Sequence, residues 1–274
     1  MVEKKYFDIH SHLHSDFFKE NNTAVIEEMK EKGFWTISVG VDFEDSKKAV
    51  ELAEKNKNIF ATIGIHPTEK ENFNEEKFQK LLESSKKIVG IGECGLDFYW
   101  PKKDLESGKI GEADFAAEIE RQKKLFKKQI DFAVKNILPL MLHIRSFENA
   151  DAHWAAFEVL DQKQKEHKGK IRADFHFFTE GPEIVEEIIK RNFMISLPGV
   201  ITFANLDESI KKIPLENLMI ETDSPFAAPK PYRGKINTPL YVDEVAKKIA
   251  KVKDIDIEEV RKKTFQNAEK FWLI

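Results

Sequence analysis

Asp8-Ile9-His10-Ser11-His12 closes the first apolar run of the chain, and four later runs close on the same kind of side chain. Ile88-Val89-Gly90-Ile91-Gly92 leads into Glu93, Leu140-Met141-Leu142 into His143, Ile171-Arg172-Ala173-Asp174-Phe175 into His176, and Leu218-Met219-Ile220-Glu221 towards Asp223. Imidazoles and carboxylates are the ligands that divalent cations take from proteins. His10 and His12 are two residues apart, so on a strand they share a face and can hold one ion from one side. Asp8 shares that face by the same count, where it would ligate the ion or orient a histidine. Three such groups and a water satisfy a single tetrahedral catalytic ion. The six candidates His10, His12, Glu93, His143, His176 and Asp223 suffice for two, with Glu93, about midway through the set, suited to bridging ions roughly 3.5–4 Å apart. Such a pair acidifies a water and stabilises the entering and leaving oxygens, and Asp223 is suited to take the proton. The reaction class that follows is metal-assisted hydrolysis.

Ligands spread over the whole chain need a scaffold that gathers strand ends. Strands are expected at Tyr6–His10, Phe34–Val39, Ile59–Ile65, Ile88–Ile91, Leu140–Leu142, Ile171–Phe175, Phe193–Leu197 and Leu218–Ile220. Amphipathic helices alternate with them: 23–32 with Thr23 as N-cap, 44–56, 75–84, 113–136, 150–165, 182–191 with Pro182 in the first turn, 206–213, 240–250 and 257–271. Eight β/α alternations predict a (β/α)8 TIM barrel, whose chemistry lies at the C-terminal ends of its strands. No linker divides the chain, so residues 1–274 read as one domain. The segment Asp97–Glu112 is expected to be a loop over the mouth.

The 274 residues are 41% hydrophobic and 34% charged, a globular rather than disordered composition. No apolar run approaches the roughly 18 residues of a membrane span, and the N-terminus shows no signal-peptide core. A single cysteine, Cys94, excludes an internal disulfide and fits a reducing, cytoplasmic setting. The net charge of -4 argues against a broad nucleic-acid-coating face, but leaves room for a metal-lined pocket that takes one strand end.

The motifs also form a pattern. Asp8-Ile9-His10-Ser11-His12-Leu13, Gly64-Ile65-His66-Pro67, Ile91-Gly92-Glu93-Cys94-Gly95-Leu96-Asp97, Pro139-Leu140-Met141-Leu142-His143-Ile144-Arg145, Glu221-Thr222-Asp223-Ser224-Pro225, Arg233-Gly234-Lys235-Ile236-Asn237-Thr238-Pro239 and the late Asn267 occur in that order. Together they resemble the TatD family of metal-dependent hydrolases, within the amidohydrolase-like barrels. The resemblance implies one metal held by His10, His12, Glu93 and Asp223, and a second held by Glu93, His143 and His176. It implies a deoxyribonuclease trimming DNA from the 3′ end with Mg²⁺ or Mn²⁺, while histidine-rich sites also bind Zn²⁺ tightly. His66 would contact substrate or orient the attacking water, and Arg145 and Arg233 would meet a phosphate at the mouth. The chain departs from the family pattern at His176-Phe177-Phe178-Thr179-Glu180-Gly181, where His-Cys-Phe-Ser-Gly is usual, and at Asn237-Thr238-Pro239 in place of Asn-Glu-Pro. Neither departure removes a ligand; both bear on substrate preference.

Plainer roles stand beside these. His14, His153 and His167 lack a strand-end setting, Cys94 is a small buried filler, Asp97 caps a turn, and Arg145 has a structural alternative as partner of Asp174 or Glu221. Phe98, Tyr99 and Trp100 either stack on bases or pack their segment onto the barrel. Two other functions compete with a nuclease acting on nucleic-acid ends: a hydrolase of small lactones, amides or phosphoesters, and a metal-binding scaffold without catalysis. Related barrels often bridge their metals with a carbamylated lysine at the fourth strand, where this chain has Glu93. No protein partner is readable, and a monomer is the default expectation.

Overall fold

The computed structural model describes residues 3–18, 22–148 and 150–274. Eight strands alternate with helices: β1 (Tyr6–Ser11), α1 (Asn22–Lys32), β2 (Phe34–Val39), α2 (Phe43–Lys55), β3 (Ile59–Ile63), α3 (Glu75–Ser84), β4 (Ile88–Asp97), α4 (Tyr99–Glu106), α5 (Glu112–Lys135), β5 (Leu140–Arg145), α6 (Ala152–Glu166), β6 (Ala173–Phe175), α7 (Pro182–Lys190), β7 (Met194–Leu197), α8 (Asp207–Lys212), β8 (Leu218–Ile220), α9 (Val242–Lys253) and α10 (Ile257–Trp272). All neighbouring strands pair in parallel, and β8 closes on β1 to complete the (β/α)8 barrel. Among the described residues no helix is long and apolar enough to cross a membrane.

Burial sorts the strand residues into two layers. Outward positions such as Ile91, Leu140, Leu142, Phe175, Ile195 and Ile220 join the large cluster beneath the helices. Phe7, Ile37, Val89, Met141 and Met219 form a second cluster with Phe265, Ala268 and Trp272 of α10, which packs across the strand starts. Each large side chain so buried contributes about 1.5–3 kcal/mol, and this apolar layer leaves the opposite end of the barrel for polar side chains. Asn267 ties α10 to the start of β8, donating to the carbonyls of Leu215 (2.7 Å) and Leu218 (2.8 Å).

Helix starts follow local chemistry. Asp42, Asn74, Asp151 and Asp256 accept backbone N–H bonds as N-caps of α2, α3, α6 and α10, and Pro182 opens α7. Thr23, expected as a cap, is instead the second residue of α1, and the residue preceding the helix lies outside the described residues. The larger correction concerns 97–112. β4 extends to Asp97 because its far half pairs with β5, Gly95 with His143 and Asp97 with Arg145. The segment that follows is mostly helix α4 rather than loop.

Candidate metal centre

Two strand irregularities aim the site residues. Between β1 and β2 the register passes from Asp8–Thr36 to Ser11–Ser38, so three residues of β1 span two of β2. Between β4 and β5 it passes from Ile91–Leu140 to Cys94–Leu142 in the same way. Each is a bulge, which inserts one residue and flips the facing of all that follow. In β4 the bulge keeps Ile91 and Cys94 under the helices while Glu93 points to the barrel axis. Gly92, at φ 149°, makes this turn beside β5, where a Cβ would lie 2.5 Å from the Met141 carbonyl oxygen. In β1 the bulge separates Asp8 from His10 and His12, which corrects the shared face expected from spacing. Asp8 bonds sideways, accepting from Thr222 N–H (2.8 Å), the Thr222 hydroxyl (2.8 Å) and the Thr36 hydroxyl (3.3 Å). It thereby fixes the segment after β8 that carries Asp223.

The six predicted residues converge. His10 Nε2 lies 3.3 Å from His12 Nε2, and Asp223 Oδ1 lies 3.5 and 3.4 Å from the two nitrogens. Glu93 divides its carboxylate: Oε2 is 3.6 Å from His10 Nε2, while Oε1 is 2.8 Å from both His143 Nδ1 and His176 Nε2. Outside the cluster, acceptors hold the opposite ring nitrogens. The Val39 carbonyl takes His12 Nδ1 at 3.0 Å, Asp97 takes His143 Nε2 at 3.0 Å, and Glu221 lies 3.4 Å from His176 Nδ1. Because those partners only accept, the outer nitrogens of His12 and His143 carry a proton, which leaves their inner nitrogens as the positions a cation would take. Inward imidazole nitrogens set against carboxylates suit a cation between them, so the residues fit bound metal. Two of the compact donor groups are His10–His12–Asp223 and His10–Glu93–His176.

Charge within the cluster is shared between carboxylate and imidazole. Burial opposes charge on Glu93, yet His176, His66 and His10 outweigh it and hold the carboxyl well below its ordinary range. Burial likewise opposes charge on His176, but Glu93 and Glu221 push its imidazole well above the usual value. His10, wholly buried beside His176, is pushed well down and is neutral.

A layer of polar side chains unforeseen in the sequence supports these groups. Glu221 accepts from Phe177 N–H and from the Ser196 hydroxyl, both at 2.7 Å. Ser196 Oγ also lies 2.9 Å from Asp174. One hydroxyl proton cannot serve two anions, and burial followed by Glu221 pushes Asp174 up to about 8, so neutral Asp174 donates to Ser196. The signal that could have found Glu221 is its position two residues before Asp223. Asp97 has two tasks, orienting His143 through Oδ2 while Oδ1 accepts from Tyr99 and Trp100 N–H at the start of α4.

A cavity of about 740 Å³ opens over the cluster. His66 lines it, 3.7 Å from Glu93 Oε1, with Nδ1 bonded to the Thr68 hydroxyl at 2.7 Å; burial and His143 push its pKa down to about 3. His14, discounted in the sequence, also lines the wall, bound to Asp45 (3.0 Å) and Ser38 (2.8 Å). Arg145 is on the rim, but not as a partner of Asp174 or Glu221: its guanidinium lies 3.8 Å over the Tyr99 ring. Arg233 is not part of the cavity lining and packs 4.0 Å over Phe203. Of the two departures, Glu180 and Thr179 line the cavity, whereas Thr238 does not; Asn237 beside it pins the loop after β8 through the carbonyls of Thr222 and Phe226. Cys94 is a fully buried filler, as expected.

Comparison with known proteins adds to this geometry. A family model described as TatD related DNase matches residues 7–273. The chain is 36% identical over 276 residues to an uncharacterized metal-dependent hydrolase of Bacillus subtilis (strain 168), covering 98% of this chain and 99% of that one. It is 34% identical over 283 residues to one of Mycoplasma genitalium, covering 98% and 99%. Among solved structures, a TatD homologue from Escherichia coli K12 superposes with a TM-score of 0.82 at 23% identity over 99% of both chains. A TatD family hydrolase from Entamoeba histolytica does so with 0.78 at 22%, again over 99% of both.

Proposed function

We propose that this chain, which belongs to the TatD family of metal-dependent hydrolases, removes nucleotides from the 3′ ends of DNA strands by hydrolysing phosphodiester bonds. The observation that supports the reading is the division of Glu93, one carboxylate oxygen toward His10 and the other toward His143 and His176. A carboxylate placed in this way suits a pair of divalent ions sharing one ligand, the arrangement of many phosphodiesterases.

In this reading His10, His12, Glu93 and Asp223 hold one ion, and Glu93, His143 and His176 the other. When bound, the ions supply Lewis acidity towards the phosphoryl oxygens and lower the pKa of the attacking water. Asp223, its side chain 17% exposed at the cavity floor, takes the proton from that water and passes it to solvent. His66, neutral near pH 7, reaches the same space from the β3 side and donates or accepts a hydrogen bond at the substrate. Arg145 meets a phosphate at the rim.

The test uses chelator-stripped protein and a 5′-labelled single-stranded DNA oligomer, with Mg²⁺, Mn²⁺ or Zn²⁺ added back separately and the Asp223→Asn protein alongside. Stepwise shortened products from the wild type, lost in the variant, are the expected result. An oligomer intact under every ion refutes the nuclease reading and directs the search to small esters, lactones and amides.

A further inference from the structure

Of seven large apolar side chains exposed among the described residues, Phe17, Trp100, Trp154, Phe226 and Ile236 all follow strand ends on the catalytic face. Exposed apolar surface gathered mostly on one face marks a place where something binds. Only one of the five is flanked by cations. The Arg145 guanidinium lies 6.0 Å from the Trp100 ring centroid and Lys103 Nζ 5.5 Å, and both cations also stack on Tyr99.

The stack is rigidly tied to the metal centre. Asp97 orients His143 and accepts the N–H groups of Tyr99 and Trp100, so one carboxylate fixes both an imidazole of the site and the start of the aromatic helix. On β5, Arg145 follows His143 by two residues, which places it on the same face about 7 Å further out. That is close to the step between successive phosphates on an extended strand. Arg145 is also the one lysine or arginine lining the cavity among the described residues, and among them its guanidinium has a ring rather than a carboxylate as its partner. Tyr99 covers one flat side of it and leaves its N–H edge free for a phosphate.

We propose that Trp100, Tyr99, Arg145 and Lys103 form the subsite for the nucleotide preceding the one released, with its base stacked on Trp100 and its 5′ phosphate on Arg145. This rests on the nuclease reading above. The terminal nucleotide occupies the cavity over the metal cluster, and the strand leaves across α4, where an indole half exposed to solvent is open to a base that is not paired. Stacking is indifferent to base identity, so the subsite selects an unpaired strand rather than a sequence.

The experiment is a cycle between protein and substrate. The wild type, Trp100→Ala, Trp100→Phe and, as a control, Ile137→Ala at the exposed position before β5 are assayed on one single-stranded oligomer and on the same oligomer lacking the base of its penultimate 3′ nucleotide. Trp100→Ala is expected to lower kcat/KM on the intact oligomer about 5- to 150-fold, the range for loss of one base stack. Removing the base should cost the wild type a similar factor, and the two losses should not add. Trp100→Phe keeps most of the rate, and Ile137→Ala leaves it unchanged. Additive losses, or a Trp100→Ala effect below twofold, overturn the subsite while the nuclease stands. An oligomer that the wild type never shortens refutes the nuclease reading itself, and the subsite falls with it.

Discussion

Glu221→Gln separates the support of the metal centre from the centre itself. Glu221 is wholly buried, touches no solvent, and lies 3.4 Å from the outer nitrogen of His176. Glutamine keeps its shape and its bonding count. The amide oxygen still accepts from Phe177 N–H, the amide N–H₂ donates to Ser196 Oγ, and Ser196 turns its proton towards Asp174. The charge behind His176 is lost, and with it the push that Glu221 gives Asp174 towards its neutral form. Partners of this kind are worth about 10–100-fold in metal affinity, or roughly 1.4–2.7 kcal/mol. With ion at a hundred times the wild-type Kd, binding stabilises the wild type by about 2.7 kcal/mol, and a 10- to 100-fold weaker variant by about 1.4 to 0.4 kcal/mol. At roughly 2 °C per kcal/mol for a chain of this size, the metal-induced rise in Tm drops from about 5 °C to about 1–3 °C. Thermal melts with and without Mn²⁺, beside a direct titration, read the effect. An undiminished Tm rise in Glu221→Gln would refute the claim that Glu221 works through His176.

Glu93→Ala takes away an oxygen from each half of the cluster, so it is expected to cost metal affinity and turnover well beyond the 10–100-fold of an outer partner, with the circular dichroism of the barrel retained. Activity within tenfold of wild type would remove the shared-ligand role. His153 gives a pH prediction away from the centre: 4% exposed and bonded to the Ser146 hydroxyl, it is pushed by burial down to about 4, against roughly 6.5 in the unfolded chain. Between those values the unfolded chain takes up a proton that the folded one refuses, so its contribution is whole above about pH 6.5 and is lost as pH falls, by up to about 3 kcal/mol at pH 4. Urea unfolding of His153→Gln should show a flatter loss of stability over that window than the wild type; parallel curves would show that the ring titrates freely.

The barrel was legible because its strands are short apolar runs ended by chemistry, and its order follows from eight repeats of one β/α unit. The six converging residues were legible for the same reason. What spacing alone missed were the two bulges. Alternation places Asp8 with His10 and His12, and only the pairing of β1 against β2 shows that an extra residue moves Asp8 to the side. The far half of β4 was hidden similarly, because Gly92, Cys94, Gly95 and Asp97 carry little strand preference and owe their extension to pairing with β5. Arg145 could not be placed from sequence, since its partner Tyr99 belongs to a helix that the Gly- and Lys-rich segment does not advertise.

The charges of the cavity order the events of binding. Asp45, Glu69, Glu93, Glu180 and Asp223 line it against Arg145 alone among lysines and arginines of the described residues. A phosphate chain approaching that wall without cations meets repulsion in a partly enclosed space, where interactions are less screened than at an open surface. Asp45 is paired with His14, and burial pushes Glu69 and Glu180 upward, so the lining carboxylates that face the centre are Glu93 and Asp223. Those are the two carboxylates that two divalent ions would neutralise. The same placement that makes the site a metal site therefore makes its affinity for a polyanion conditional on the metals. Under the nuclease reading proposed above, it also accounts for how a chain of net charge -4 would take a nucleic-acid end without a basic face: the attraction would be local, supplied at the point of reaction, and extended outward by one arginine held flat on a tyrosine.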